Sequence, residues 1–289
     1  MTELIIGFDS AWSRKNHGAI VAVLKQDDDS FKFLGMPQRA NFDKATILID
    51  EWINTNHPSS TLILIDQPII VENMDGQRDV ENIVSSSVSL RYGGMQPAFR
   101  KKEAMFGDDA PIWQFLKEHG NCNDPAGFVQ SQSGTWIIET YPVLTLIVLD
   151  WLFEDDHENP RETGRLPKYN PKIRKTFSDD DWKFVCDKTA EAINEFGLTE
   201  LVDWLKEAKV KDKVTKQLQD GLDACLCLLV GLYWFKDNGC LMVGNLSGPS
   251  PGYIVVPNSQ NNQYWLKERD VRCENTHRPQ AEWVRKLKL

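Results

Sequence analysis

The sequence predicts an α/β fold: a mixed five-stranded sheet in the order βββαβαβα, with helices on both faces and helical insertions between the core elements. Three observations carry this expectation. Leu4-Ile5-Ile6-Gly7-Phe8, Leu62-Ile63-Leu64-Ile65 and Trp136-Ile137-Ile138 are short, continuous apolar runs, the pattern of strands covered on both faces. Each run passes directly into an acid, Asp9, Asp66 or Glu139, and a proline soon stops the last two. Late in the chain, Leu218, Leu222, Cys225, Leu226, Leu229 and Tyr233 trace one apolar face of a helix over 214–235. Parallel strands bring their carboxyl ends to one edge, where open α/β sheets place their sites. Acids gathered there repel one another unless a cation joins them.

The elements follow in order. After the first strand, His17-Gly18 turns the chain into Ala19–Leu24, and Asp27-Asp28-Asp29-Ser30 turns it again into Phe31–Met36. Turns this short predict an antiparallel meander of strands one to three. Asn41 or Asp43 caps a helix carrying Ala45, Leu48, Ile49 and Trp52, which stops at Asn56-His57-Pro58, and strand four occupies 61–66. Residues 73–134 exceed the length of a simple loop, contain helical patterns at 77–87 and 110–119, and read as an insertion over the carboxyl edge. Strand five leads to an apolar helix from Val143. A second insertion, about 154–213, carries helical patterns at 179–195 and 199–209. Runs at 240–243 and 253–256 predict a hairpin. The expected catalytic domain is 1–257, and 258–289 reads as a polar C-terminal extension.

A net charge of -9 provides no global basic field for nucleic acid or anionic lipid, which leaves a local grip through metal ions open. No apolar stretch approaches the roughly 20 residues of a membrane span. Asp9 interrupts the apolar run near Met1, so nothing there reads as a secretory signal, and a cytoplasmic location is expected. The cysteines, among them Cys122, Cys225, Cys227 and Cys273, read as reduced thiols; Cys225 and Cys227 diverge around a helix and make a poor metal pair. None of the five histidines stands in a spacing that suggests zinc or a Ser/His/Asp triad.

The long helix adds Asp220-Gly221-Leu222-Asp223, two carboxylates three residues apart on one face. Asp220 also suits a helix N-terminal acid, whereas Asp223 lies among apolar neighbours and needs a partner or a metal. Asp9, Asp66, Glu139, Asp220 and Asp223 therefore form a candidate ligand set for two Mg²⁺ or Mn²⁺ ions. Asp9, Asp66, Glu139 and Asp223 are the candidate catalytic residues.

With these residues in place, the chain resembles the ribonuclease H-like superfamily. Ile6-Gly7-Phe8-Asp9, Ile65-Asp66-Gln67-Pro68, Ile138-Glu139-Thr140-Tyr141-Pro142 and Asp220-Gly221-Leu222-Asp223-Ala224 resemble an uncharacterised family of predicted nucleases within it. The resemblance covers most of residues 3–257. It implies a ribonuclease H-like sheet, two-metal-ion hydrolysis of DNA or RNA, and a family arginine at Arg78. The family's basic segment matches Lys168 to Lys175, and its closing strand matches 252–257.

Candidate substrate contacts are Arg78, Lys172, Arg174, Lys175 and Trp12. Each has a plainer reading beside it: the basic run as a solvated surface, Arg78 as an exposed helix arginine, Trp12 as a core residue. Two other functions compete with the nuclease. A kinase of the related actin/sugar-kinase type requires glycine-rich phosphate turns, which Ser10-Ala11-Trp12-Ser13-Arg14 and Gln67-Pro68-Ile69 lack. A non-catalytic binding protein on the same scaffold is the third reading.

Overall fold

The computed structural model describes residues 1–120, 123–131, 133–154, 164–236, 239–247, 250–259 and 284–287. The strands β1 (Glu3–Asp9) and β2 (Gly18–Lys25) pair antiparallel, and β5 (Ser60–Ile65) and β6 (Gly134–Glu139) continue the sheet in parallel on the other side of β1. Two short strands, β3 (Phe31–Phe33) and β4 (Gln38–Ala40), share the outer edge of β2. The sheet is thus mixed and six-stranded, with the path β3-β2-β1-β5-β6 and β4 beside β2. The five-stranded expectation missed β4 because Gln38-Arg39-Ala40 has no apolar pattern of its own. Its place is set by the register of β2.

Helix α1 (Phe42–Asn56) begins at Asn41, whose side chain accepts from the Lys44 amide, and ends at a left-handed His57. It lies on the same face as Phe8, whose ring meets Phe42 at 5.6 Å and Phe115 of α4 (Pro111–Glu118) at 5.7 Å. The 73–134 segment therefore contributes core as well as cover: besides α4 it holds α2 (Asp79–Ser89), α3 (Glu103–Phe106) and α5 (Pro125–Ser131). The apolar helix after β6 is α6 (Pro142–Val148), and the second insertion forms α7 (Asp179–Asn194) and α8 (Thr199–Lys209).

The opposite face of the sheet carries α9 (Lys216–Trp234), capped by Thr215. This helix is buried nearly all round, beyond the one apolar stripe expected, because further elements cover its outer side; Trp204 of α8, for example, packs against Gly221. Its approach to β1 is extremely close. A Cβ on Gly7 would lie 2.1 Å from the Ala224 carbonyl oxygen, so only glycine fits there. The expected hairpin forms as β7 (Cys240–Asn245) and β8 (Gly252–Pro257). A third strand, β9 (Val284–Leu287), pairs with the free edge of β7, so the segment read as a polar extension returns to the fold at its end. The Thr140 hydroxyl donates to the Val255 carbonyl and ties β6 to this smaller sheet. The four described cysteines are free thiols, and Cys122 and Cys273 lie outside the described residues. No helix among the described residues is long and apolar enough to cross a membrane.

Candidate functional site

The sheet register decides which acids meet. Phe8 pairs with Ile65, and Ile65 pairs with Glu139. Asp9 and Asp66 therefore stand one row beyond this line, while Glu139 stands within it. Side chains alternate faces along a strand, so Asp9 and Asp66 turn toward α9 and Glu139 turns toward the α1/α4 side. The ladder continues past the named strands, with the Asp66 amide donating to the Phe8 carbonyl and the Thr140 amide to that of Ile65.

On the α9 side, Asp9 and Asp66 from the sheet face Asp220 and Asp223 from the helix, at the floor of a cavity of about 1060 Å³. Asp9, Asp220 and Asp223 are only 6%, 5% and 6% exposed, and Asp66 is half-buried. Burial raises the Asp9 carboxyl well above the usual range, and the charges of Asp223 and Asp66 push it further in the same direction. Asp66 is raised well above its ordinary value by burial and by Asp223. Asp223 is pushed up to about 7 by burial, against the opposing pull of Lys216 and of hydrogen bonds from its neighbours. Those neighbours are Tyr169, whose hydroxyl donates to Asp223 Oδ1 at 2.9 Å, and Gln219, whose amide donates to Oδ2. Asp9 Oδ2 is buried without a hydrogen-bond partner among the described residues.

Glu139 belongs to a different arrangement. Arg78, with no exposed surface, grips both of its oxygens, at 2.6 Å from Nη2 and 2.8 Å from Nη1. The Arg78 Nε and backbone amide bind Glu81, and Nη1 also donates to the Ile70 carbonyl. Burial opposes the Arg78 charge, but Glu139 and Glu81 more than offset it and hold the guanidinium pKa above its ordinary value. Glu81 in turn accepts from the Ala98 amide. This hub fastens the exits of β5 and β6 to the 73–134 segment. Glu139 reaches the cavity wall with both oxygens bound to the Arg78 guanidinium, on the face of the sheet away from Asp9 and Asp66. Arg78, expected to be an exposed substrate contact, is instead fully buried with its donors engaged.

The remaining residues fall into place by depth. Trp12, in the left-handed region at φ 58°, donates its indole N–H to the Asp66 carbonyl at 2.7 Å and packs edge-on against Phe106. It thus clamps the β5 exit, and it also lines the cavity. Lys172 is exposed at the mouth, together with Lys15 and Arg39. Arg174 and Lys175 are exposed away from the cavity lining. Acids thus form the floor and cations the rim.

Sequence reasoning missed Lys216. Its ammonium pairs with Asp220 and also reaches Gln219, and the charges of Asp9 and Asp223 act on it as well. Positions 216, 220 and 223 share one helix face, so the spacing already contained this signal. Tyr169 lies in the Lys168 to Lys175 segment, which was read for its basic residues alone; its burial and its bond to Asp223 come from tertiary packing. The oxygen donors are of the kind a hard divalent cation takes, and one of them, Asp9 Oδ2, is unpartnered. Among the described residues, however, no three His, Cys, Asp or Glu side chains stand together as a ready coordination set. In comparisons with protein-family models, curated proteins and solved structures, nothing matches the chain.

Proposed function

We propose that the protein is a metal-dependent nuclease with a ribonuclease H-like core, hydrolysing phosphodiester bonds in DNA or RNA. The observation that carries this reading is the meeting of buried Asp9 and Asp223 with half-buried Asp66 in one cavity, with Asp9 Oδ2 lacking a partner among the described residues. Carboxylates that raise one another's pKa in a cavity are unstable without a counter-charge, and such clusters mark functional sites. The sheet path, with β2 antiparallel to β1 and with α1 between β4 and β5, agrees with the family resemblance, as does the acid pair on the last long helix.

In this reading Asp9, Asp66 and Asp223, with Asp220 beside them, hold one or two Mg²⁺ or Mn²⁺ ions. Bound there, the ions supply a lowered pKa for water and neutralise charge on the phosphodiester. The chain supplies the rest. Tyr169 and Gln219 fix the orientation of Asp223, and the Arg78 hub with Glu139 holds the two strand exits in place. The rim cations Lys15, Arg39 and Lys172 draw a polyanion to the mouth although the net charge is negative, and the Trp12 ring offers a stacking face.

One observation favours the non-catalytic reading: Lys216 already supplies a positive charge to the floor. A panel of single- and double-stranded DNA, RNA, hybrid and branched substrates decides between the two, run with Mn²⁺ or Mg²⁺ and with chelator. Cation-dependent cleavage that falls by at least about a hundredfold in Asp9→Asn and in Asp223→Asn is the expected result. Cleavage that survives both substitutions, or none on any substrate, sinks the reading.

A further inference from the structure

We infer that Lys216 is a tethered counter-ion that occupies a cation position among the floor carboxylates until a divalent ion displaces it. The inference deepens the nuclease reading and rests on it. Three features of the site support it. Lys216 is the first residue of α9, so its stem springs from the same helix end that carries Asp220 and Asp223; it pairs with Asp220, and the charges of Asp9 and Asp223 also act on it. The floor carboxylates each have their own engagement. Asp220 turns to Lys216, Asp223 to Tyr169 and Gln219, and Asp9 keeps one oxygen unpartnered. Finally, the Lys216 side chain is 34% exposed along the cavity while Asp220 is 7% exposed, so the cation can leave and the acids cannot.

Displacement needs only rotations within a flexible four-carbon stem, with no backbone movement. An ammonium and a divalent ion crowded among the same oxygens repel each other, so the two compete for the floor. A displaced Lys216 remains at the cavity, where its charge is available to an incoming phosphodiester. The lysine thereby keeps the fold from carrying an uncompensated acid cluster when metal is scarce, and it weakens cation binding in return.

Titration calorimetry with Mn²⁺, Mg²⁺ and Ca²⁺, at fixed pH and ionic strength, tests this on the full chain. Lys216→Met keeps the length of the side chain and removes its charge. It is expected to bind each ion at least about tenfold more tightly than wild type. Its melting temperature should fall in chelator and recover in saturating cation. Lys216→Arg keeps a permanent charge, keeps the test readable should the methionine variant fail to fold, and is expected to bind no more tightly than wild type. Equal or weaker cation affinity in Lys216→Met, or tighter binding in Lys216→Arg, overturns the inference while leaving the nuclease reading intact. If wild type and both variants bind none of the three ions, the inference and the nuclease reading fall together.

Discussion

The two faces of the sheet at its carboxyl edge treat the same kind of residue in opposite ways. On one face Glu139 is locked to a buried guanidinium with both oxygens bound. On the other, Asp9, Asp66 and Asp223 press on one another, with one half-exposed ammonium at their border. Both arrangements begin as an acid closing an apolar strand, and a single row of register separates them. A carboxylate with both oxygens bound to a buried cation holds structure together. One left short of partners holds binding capacity, and the fold stores that as instability.

This contrast can be broken from its strong side first. Arg78→Met strands Glu139 and Glu81 in a buried setting, and is expected to cost about 3–5 kcal/mol of stability in urea unfolding. An Arg78→Met protein as stable as wild type would show that the hub is dispensable and that the two faces are more alike than they look.

The floor should respond in the reverse sense. Burial and mutual repulsion raise the folded-state pKa of Asp9 and Asp66, and that of Asp223 to about 7, above the ordinary carboxylate range. A group raised on folding contributes its stability at low pH and loses it as pH climbs through the folded value. In chelator, then, the melting temperature should decline between about pH 4 and pH 7, and Asp223→Asn should flatten that decline and melt no lower than wild type at pH 7. A melting temperature that rises with pH over this window, or an asparagine variant that melts well below wild type, would place the floor in the same class as Glu139.

The smallest effect sharpens the comparison without breaking it. Tyr169→Phe removes one hydrogen bond to Asp223 and is expected to cost about 1 kcal/mol in chelator. Because that bond opposes the raised Asp223 pKa, its loss should also move the midpoint of the pH-dependent melt upward.

Much of this was legible in the chain because burial on both faces writes itself as continuous apolarity. The strands ending at Asp9, Asp66 and Glu139, and the helix bearing Asp220 and Asp223, followed from pattern alone. What escaped depends on pairing across the fold. Glu139 looked equivalent to Asp9 because strand register is not a property of one strand. Arg78 looked like a substrate contact because nothing local marks an arginine for burial. The strand β4 and the strand β9 have no core pattern of their own and exist because β2 and β7 offer an open edge. Lys216 was the avoidable omission, since helix spacing alone places it beside both aspartates.

The contact of Gly7 with the backbone of α9 has a mechanical consequence. With Ala224 and Leu228 pressed against the glycine, the gap between Asp9 and Asp223 is set by main chain on main chain, with no side-chain cushion between. This is the stiff jaw of the cavity. Another part of the lining, from Tyr92 to Gln96, is an irregular stretch after α2 with no helix or strand of its own. It is held by single contacts instead, such as the Gly93 amide on the Val88 carbonyl and the Tyr141 hydroxyl on the Gly94 carbonyl. The separation of the floor acids is thus inherited with the packing of β1 on α9.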